Sequence, residues 1–156
     1  MAMDVSKITE TLYIGANPRS DAVDPLKKLG VRMVISMIPI PPTRSFFQHP
    51  FKLVIMPVAD DPRLPIPIFV LKHGVRRALP VIEQGDGVVV YCREGRHRSV
   101  AMAACILIAT GYTADEAMHL ICEKREVADP HAPYIEKQIR KFESWWVKHQ
   151  RQECKT

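Results

Sequence analysis

The feature that most limits how this chain can fold is Val88-Val89-Val90, an unbroken β-branched run between the turn signal Gly85-Asp86-Gly87 and a second apolar stretch. A strand with one wet face alternates apolar and polar residues. A continuous run instead predicts a strand covered on both faces, and so a sheet with helices on its two sides. Nine residues later, Ser99–Thr110 is almost wholly apolar and stops at Gly111, which predicts a buried helix immediately after a short loop.

The rest of the chain fits around that unit. Leu12–Ile14, Val31–Ile38 and Leu53–Val58 read as strands, with Val88–Tyr91 as the fourth. Helices are predicted over Ala22–Leu29, ending at Gly30, and over Ile68–Glu83, where Pro80 marks a kink or an early end. Thr113-Ala114-Asp115-Glu116 has capping-box spacing and opens a helix to about Lys124. Tyr134–His149 is a last amphipathic helix with Trp145 and Trp146, adjacent residues that cannot both face the core. Pro39–Pro42 and Pro62–Pro67 read as surface loops. Strands alternating with helices, then a helical final third, predict an α/β fold: a single three-layer domain over residues 1–156, with a central, mostly parallel sheet flanked by helices.

Composition excludes several classes. Hydrophobic residues at 47% and charged residues at 25% argue against disorder. The longest apolar run, Val100–Ala109, is well short of the ~20 residues of a spanning helix, so no stable membrane insertion is expected. The start, Met1-Ala2-Met3-Asp4, lacks the basic-then-apolar pattern of a leader, and a cytoplasmic placement is expected. Cys92, Cys105, Cys122 and Cys154 show no Cys-x-x-Cys pairing, which predicts free thiols and neither disulfides nor zinc. His49, His73, His97, His119, His131 and His149 have no ligand spacing, so no metal and no cofactor is expected. The net charge of +5 suits an anionic partner, yet no aromatic–basic interleaving marks a nucleic-acid surface. A phosphorylated protein or small phosphorylated molecule qualifies as such a partner too, a choice that charge alone does not make, and a monomer is expected.

The chemistry lies in Cys92-Arg93-Glu94-Gly95-Arg96-His97-Arg98-Ser99. Between a strand and a helix, successive backbone N–H groups can curl around an anion, aided by the positive end of the helix dipole. The same field favours a thiolate at the base of the loop, and thiolate is the nucleophilic form of cysteine. Gly95 stands midway, where a side chain would obstruct the backbone or a positive φ is needed. Arg98 closes the loop with a planar fork that can hold two phosphate oxygens. Cys-x5-Arg alone arises often by chance. Its conjunction with the midway Gly, the hydroxyl of Ser99, the buried strand and the apolar helix does not.

That loop resembles the Cys-x-x-Gly-x-x-Arg-Ser/Thr signature of the protein tyrosine phosphatase superfamily, in its small, atypical dual-specificity branch. The resemblance runs along nearly the whole chain. Leu12-Tyr13-Ile14-Gly15 is similar to the branch's opening strand, Leu26–Ile35 to its next helix and strand, and Arg125 with Tyr134 and Gln138 to the spacing near its C-terminal helices. It implies a hydrolase in which Cys92 forms a phosphocysteine, Arg98 binds phosphate and Ser99 helps the thiolate leave. Ser99 also suits a helix N-cap. One departure is visible: Tyr91 stands where the family usually has His.

Ester cleavage also needs a proton for the departing oxygen. The family places an Asp on a mobile loop upstream of the cysteine, just after a strand, which points to Asp60 or Asp61; the resemblance to some relatives favours Asp60 and paired-acid relatives use the second residue, with the other a turn-former before Pro62. Arg93, Glu94, Arg96 and His97 are the variable loop positions. Their extra cations suit either a polyanionic substrate, such as a phosphoinositide or inositol polyphosphate, or plain solvent exposure. Arg96-His97 is similar to a Lys-His pair in relatives acting on inositol pyrophosphates, and His97 can titrate near neutrality. A dual-specificity protein phosphatase is the leading expectation, with a phosphate-binding module lacking catalysis as the alternative outside enzymes. Low-molecular-weight phosphatases and arsenate reductases carry their Cys-x5-Arg loop near the chain start, unlike this one.

Overall fold

The computed structural model describes residues 3–17, 19–39 and 42–153. Cys154, the first two residues, and positions 40 and 41 of the Pro39–Pro42 stretch lie outside the described residues. Five strands, β1 (Val5–Lys7), β2 (Leu12–Ala16), β3 (Val31–Ser36), β4 (Lys52–Ile55) and β5 (Gly87–Cys92), form one sheet in the order β1-β2-β5-β3-β4. All pairings are parallel except that of β1 with β2. The β-branched run therefore lies in the middle of the sheet, and every residue of β5 is buried.

Side-chain alternation along β5 separates two cores. Val88, Val90 and Cys92 join the larger core, with α3 (Arg98–Ala109), α2 (Ile68–Glu83), α4 (Ala114–Lys124) and α5 (Pro133–Glu153). Val89 and Tyr91 face the smaller one, with Val23 and Leu26 of α1 (Val23–Lys28) and with Phe46 and Phe51. The layers are unequal, four helices on one face and one short helix with 3-10 turns on the other. Strand parity alone puts Cys92 on the face where α3 begins; a slip of one residue would present Tyr91 there instead.

The elements depart from the sequence expectations for identifiable reasons. The short β1 was not anticipated, because Val-Ser-Lys carries no apolar pattern. The helix expected from Ala22 starts as a 3-10 turn over Ser20–Ala22 and is α-helical only to Lys28. A second 3-10 turn, Arg44–Phe47, falls in a stretch without helical periodicity. The expected strand Leu53–Val58 closes at Ile55, before Pro57, which has no N–H to continue the ladder. Pro80 does not end α2: it occupies the last turn, and the helix runs on to Glu83. The capping box at Thr113 is present in both directions. Trp145 and Trp146 are both half-buried against the larger core, with Lys72 Nζ 4.1 Å above the Trp145 ring.

Candidate active site

Parallel strands end together, so the C-terminal edge of this sheet gathers the loops that follow β5 and β4, the place where α/β sheets bind ligands. Cys92 is the last residue of β5, and its loop wraps back on its own sulfur. The Gly95 N–H donates to Cys92 Sγ at 3.2 Å, and Ser99 Oγ lies 3.0 Å from the same sulfur. Ser99 is fully buried in the first turn of α3, where the cap position belongs to His97. Its hydroxyl thus serves the sulfur and caps nothing.

Gly95 meets both requirements anticipated for it. Its φ is +63°, and a Cβ there would strike the Arg125 guanidinium. Arg125 follows α4 directly and is only 3% exposed. Its Nε donates to Gly95 O at 2.8 Å and its Nη2 to Glu94 O at 3.1 Å. The other edge of the guanidinium pairs with the Asp4 carboxylate at 3.0 and 3.1 Å and donates to Ser6 Oγ. One buried cation therefore ties two outward-turned carbonyls of the loop to the first strand. Turning those carbonyls away leaves the opposing N–H groups for an anion. The sequence had marked Arg125 only by its spacing; its contact with Gly95 spans thirty positions and has no local signature.

Arg98 reaches back to the segment after β4, where its Nη1 donates to Val58 O at 2.9 Å. Its Nε is buried without a hydrogen-bond partner among the described residues. A buried charged donor left unpaired is costly, and a phosphate oxygen is the acceptor that would satisfy it. Cys92, Arg93, Glu94, Arg96, His97, Arg98 and Asp60 line one pocket of about 250 Å³.

The two aspartates take different places. Asp60 lines that pocket, its Oδ1 accepting from the Tyr134 hydroxyl at 2.6 Å and its Oδ2 lying 3.1 Å from His97 Nδ1. Burial alone would raise the proton affinity of Asp60, but the hydrogen bonds from Tyr134 and His97 and the nearby Arg98 charge win, holding the carboxyl below its ordinary range. Asp61 folds onto its own turn: it accepts from the Arg63 N–H at 2.8 Å and pairs with the Arg63 guanidinium. Gln138, on α5 like Tyr134, donates to Ile66 O at 2.5 Å and anchors the far end of the segment.

The remaining loop positions divide. Arg93 and Arg96 are exposed, and their side chains make no hydrogen bond or ion pair among the described residues. Glu94 contributes its carbonyl to Arg125. His97 is turned inward, its Nε2 3.4 Å from Asp129 Oδ2. Tyr91 is buried against Gly15, whose missing Cβ makes room for the ring, and burial pushes the phenol's proton affinity up. Its hydroxyl has no partner among the described residues. It faces the smaller core and not the loop, so here a tyrosine in place of the usual histidine alters packing behind the site.

The profile of the family "Dual specificity phosphatase, catalytic domain" matches residues 12–144, and the chain belongs to that family, the dual-specificity branch of the cysteine-dependent phosphatases. Mouse dual specificity phosphatase 28 is 24% identical over 142 residues, covering 88% of this chain and 83% of that protein. A protein of Invertebrate iridescent virus 6 is 35% identical over 65 residues, which span 41% of this chain and 45% of the viral one. Among solved structures, PTPMT1 in complex with PI(5)P superposes with a TM-score of 0.83 at 22% identity, covering 94% of this chain and 98% of that one, a likeness of fold. No helix among the described residues is long and apolar enough to cross a membrane.

Proposed function

We propose that the chain hydrolyses phosphotyrosine and phosphoserine/threonine esters in proteins, with Cys92 as nucleophile and Asp60 as general acid. The observation that carries this is the setting of Cys92 Sγ: the Gly95 N–H and the Ser99 hydroxyl on the sulfur, and Arg98, its Nε unpartnered among the described residues, lining the same pocket. In the first step Sγ bonds to phosphorus, the ester P–O bond breaks, and the Asp60 proton passes to the leaving oxygen. Loop N–H groups and Arg98 carry the charge on the equatorial oxygens. In the second step water attacks phosphorus and gives its proton to ionised Asp60. The P–S bond breaks, and the Ser99 hydroxyl donates to the departing thiolate. Asp61, engaged with Arg63, has the turn-forming role.

A second reading rests on Arg93 and Arg96, the two exposed cations on the pocket without protein partners among the described residues. They suit a substrate with further negative groups, such as a phosphoinositide or inositol polyphosphate. We place the protein in a reducing compartment, the cytoplasm, since the mechanism needs Cys92 as a free thiol. We propose that it acts as a monomer, since one chain supplies Cys92, Arg98 and Asp60 to a single pocket.

Phosphate release by wild type and Cys92→Ser tests these readings together, on an aryl phosphate, phosphotyrosine and phosphothreonine peptides, and soluble inositol polyphosphates. Cys92-dependent turnover of the peptides supports the protein phosphatase. Efficient turnover of the inositol compounds alone favours the second reading, and turnover retained in Cys92→Ser sinks the mechanism.

A further inference from the structure

We propose that Tyr134 and His97 are positioning residues for the general acid: they grip both oxygens of the Asp60 carboxyl over the phosphate loop, and so set the pH range and the leaving groups for which proton delivery works. The proposal rests on Asp60 being that acid. Three segments distant in sequence meet here. Asp60 comes from the stretch after β4, His97 from the phosphate loop, and Tyr134 from the first turn of α5.

The geometry assigns distinct tasks. The Tyr134 hydroxyl at 2.6 Å is the shorter contact and fixes Oδ1, leaving Oδ2 as the oxygen that carries the proton. Asp129 Oδ2 lies beyond the far side of the His97 ring, so carboxylates flank both ring nitrogens, and Nδ1 is placed to donate to ionised Asp60. Tyr134 OH is also 3.2 Å from Nδ1, so the three groups form a closed triangle. The charged and titratable groups facing Asp60 are His97 and Arg98 from the loop and Tyr134 from α5, with Asp129 behind His97 and Arg96 near Tyr134.

Donors on both oxygens favour the ionised carboxylate, so Asp60 gives up its proton at lower pH than an unassisted carboxyl would. A stronger acid is protonated over a narrower range. At neutral pH, departing groups that need little proton assistance then gain over those that need much: aryl esters are favoured over alkyl esters, and the preference widens as pH rises. This makes the Tyr134–Asp60–His97 triangle a specificity device within the same active site.

The test is kcat/KM against pH for a series of aryl phosphates with graded leaving-group pKa, using wild type, Asp60→Asn, Tyr134→Phe, His97→Ala and His97→Asn. Tyr134→Phe and His97→Ala should move the alkaline limb to higher pH, since each removes a donor to the ionised form. At the optimum each should lose roughly tenfold on poor leaving groups and little on good ones, a part of the 10²–10⁴-fold that acid catalysis supplies. His97→Asn, which keeps a polar group on the Nδ1 side, should recover part of that loss. An unmoved limb with uniform loss across the series would mean that the two side chains merely support packing, and overturns the proposal. If Asp60→Asn itself keeps the wild-type limb and leaving-group dependence, the assignment of the acid has failed, and this inference falls with it.

Discussion

The two halves of the proposed catalytic apparatus are built on opposite principles. The phosphate loop is held from within: Cys92, Gly95 and Ser99 are buried, and the cation that shapes the loop, Arg125, is buried behind it. The segment proposed to carry the acid, from Val58 to Ile66, is held from without, by Arg98 and the Met37 carbonyl at Val58, by Gln138 at Ile66 and by the Tyr134–His97 grip on Asp60. Its residues are mostly exposed; Leu64 is 61% accessible. In the loop a lost partner strands a buried polar group, which is costly. At Asp60, which is partly exposed, a lost partner is replaced by water. Damage to the first should therefore be close to all-or-none, and damage to the second graded.

Substitutions can break that contrast, beginning with the largest effect. Cys92→Ser should abolish turnover while leaving vanadate or tungstate binding largely intact, measurable by calorimetry beside the phosphate-release assay. Loss of oxyanion binding as well would show that the sulfur is needed to shape the loop. Arg125→Ala should cost about 2–4 kcal/mol in urea denaturation, because it leaves the Gly95 and Glu94 carbonyls without their donor. It should also remove most activity; a stable variant with intact kcat would refute the account of how the loop is held. Asp60→Asn should lower kcat by roughly 10²-fold or more on substrates with poor leaving groups, with a change in stability too small to matter for folding. Gln138→Ala should be milder, a severalfold loss in kcat with unchanged oxyanion affinity, since it frees only the Ile66 end of the segment. Asp61→Asn should be the smallest, leaving the leaving-group dependence untouched. If Asp61→Asn and Asp60→Asn exchange these outcomes, the acid has been assigned to the wrong neighbour.

The same division explains what could be read in advance. The central strand, the apolar helix behind it and the loop joining them are consecutive in the chain, so the Val88–Val90 run and the Cys92–Ser99 spacing carry their own structural meaning. The pairing of Ser99 with Cys92 lies within that unit too. The capping box at Thr113 was visible because both of its hydrogen bonds are local. Asp61 as a turn-former was equally local, its partner being Arg63. By contrast, His97 was read as a candidate substrate-facing or solvent-facing side chain, and the fold turns it toward Asp60 and Asp129 instead. Nothing near His97 in the chain announces those partners.

By itself, then, the sequence determined the Cys92–Ser99 loop, the buried strand that presents it and the α/β character of the chain, because periodicity and motif spacing act over a few residues. Only the tertiary structure decided what surrounds them. It placed Arg125 against Gly95, Tyr134 on Asp60 and Gln138 on Ile66, pairs separated by 30, 74 and 72 positions. Such contacts depend on how α4 and α5 pack across the sheet's edge. A hydrogen bond made on a surface that exists only after packing leaves no periodic trace in the chain.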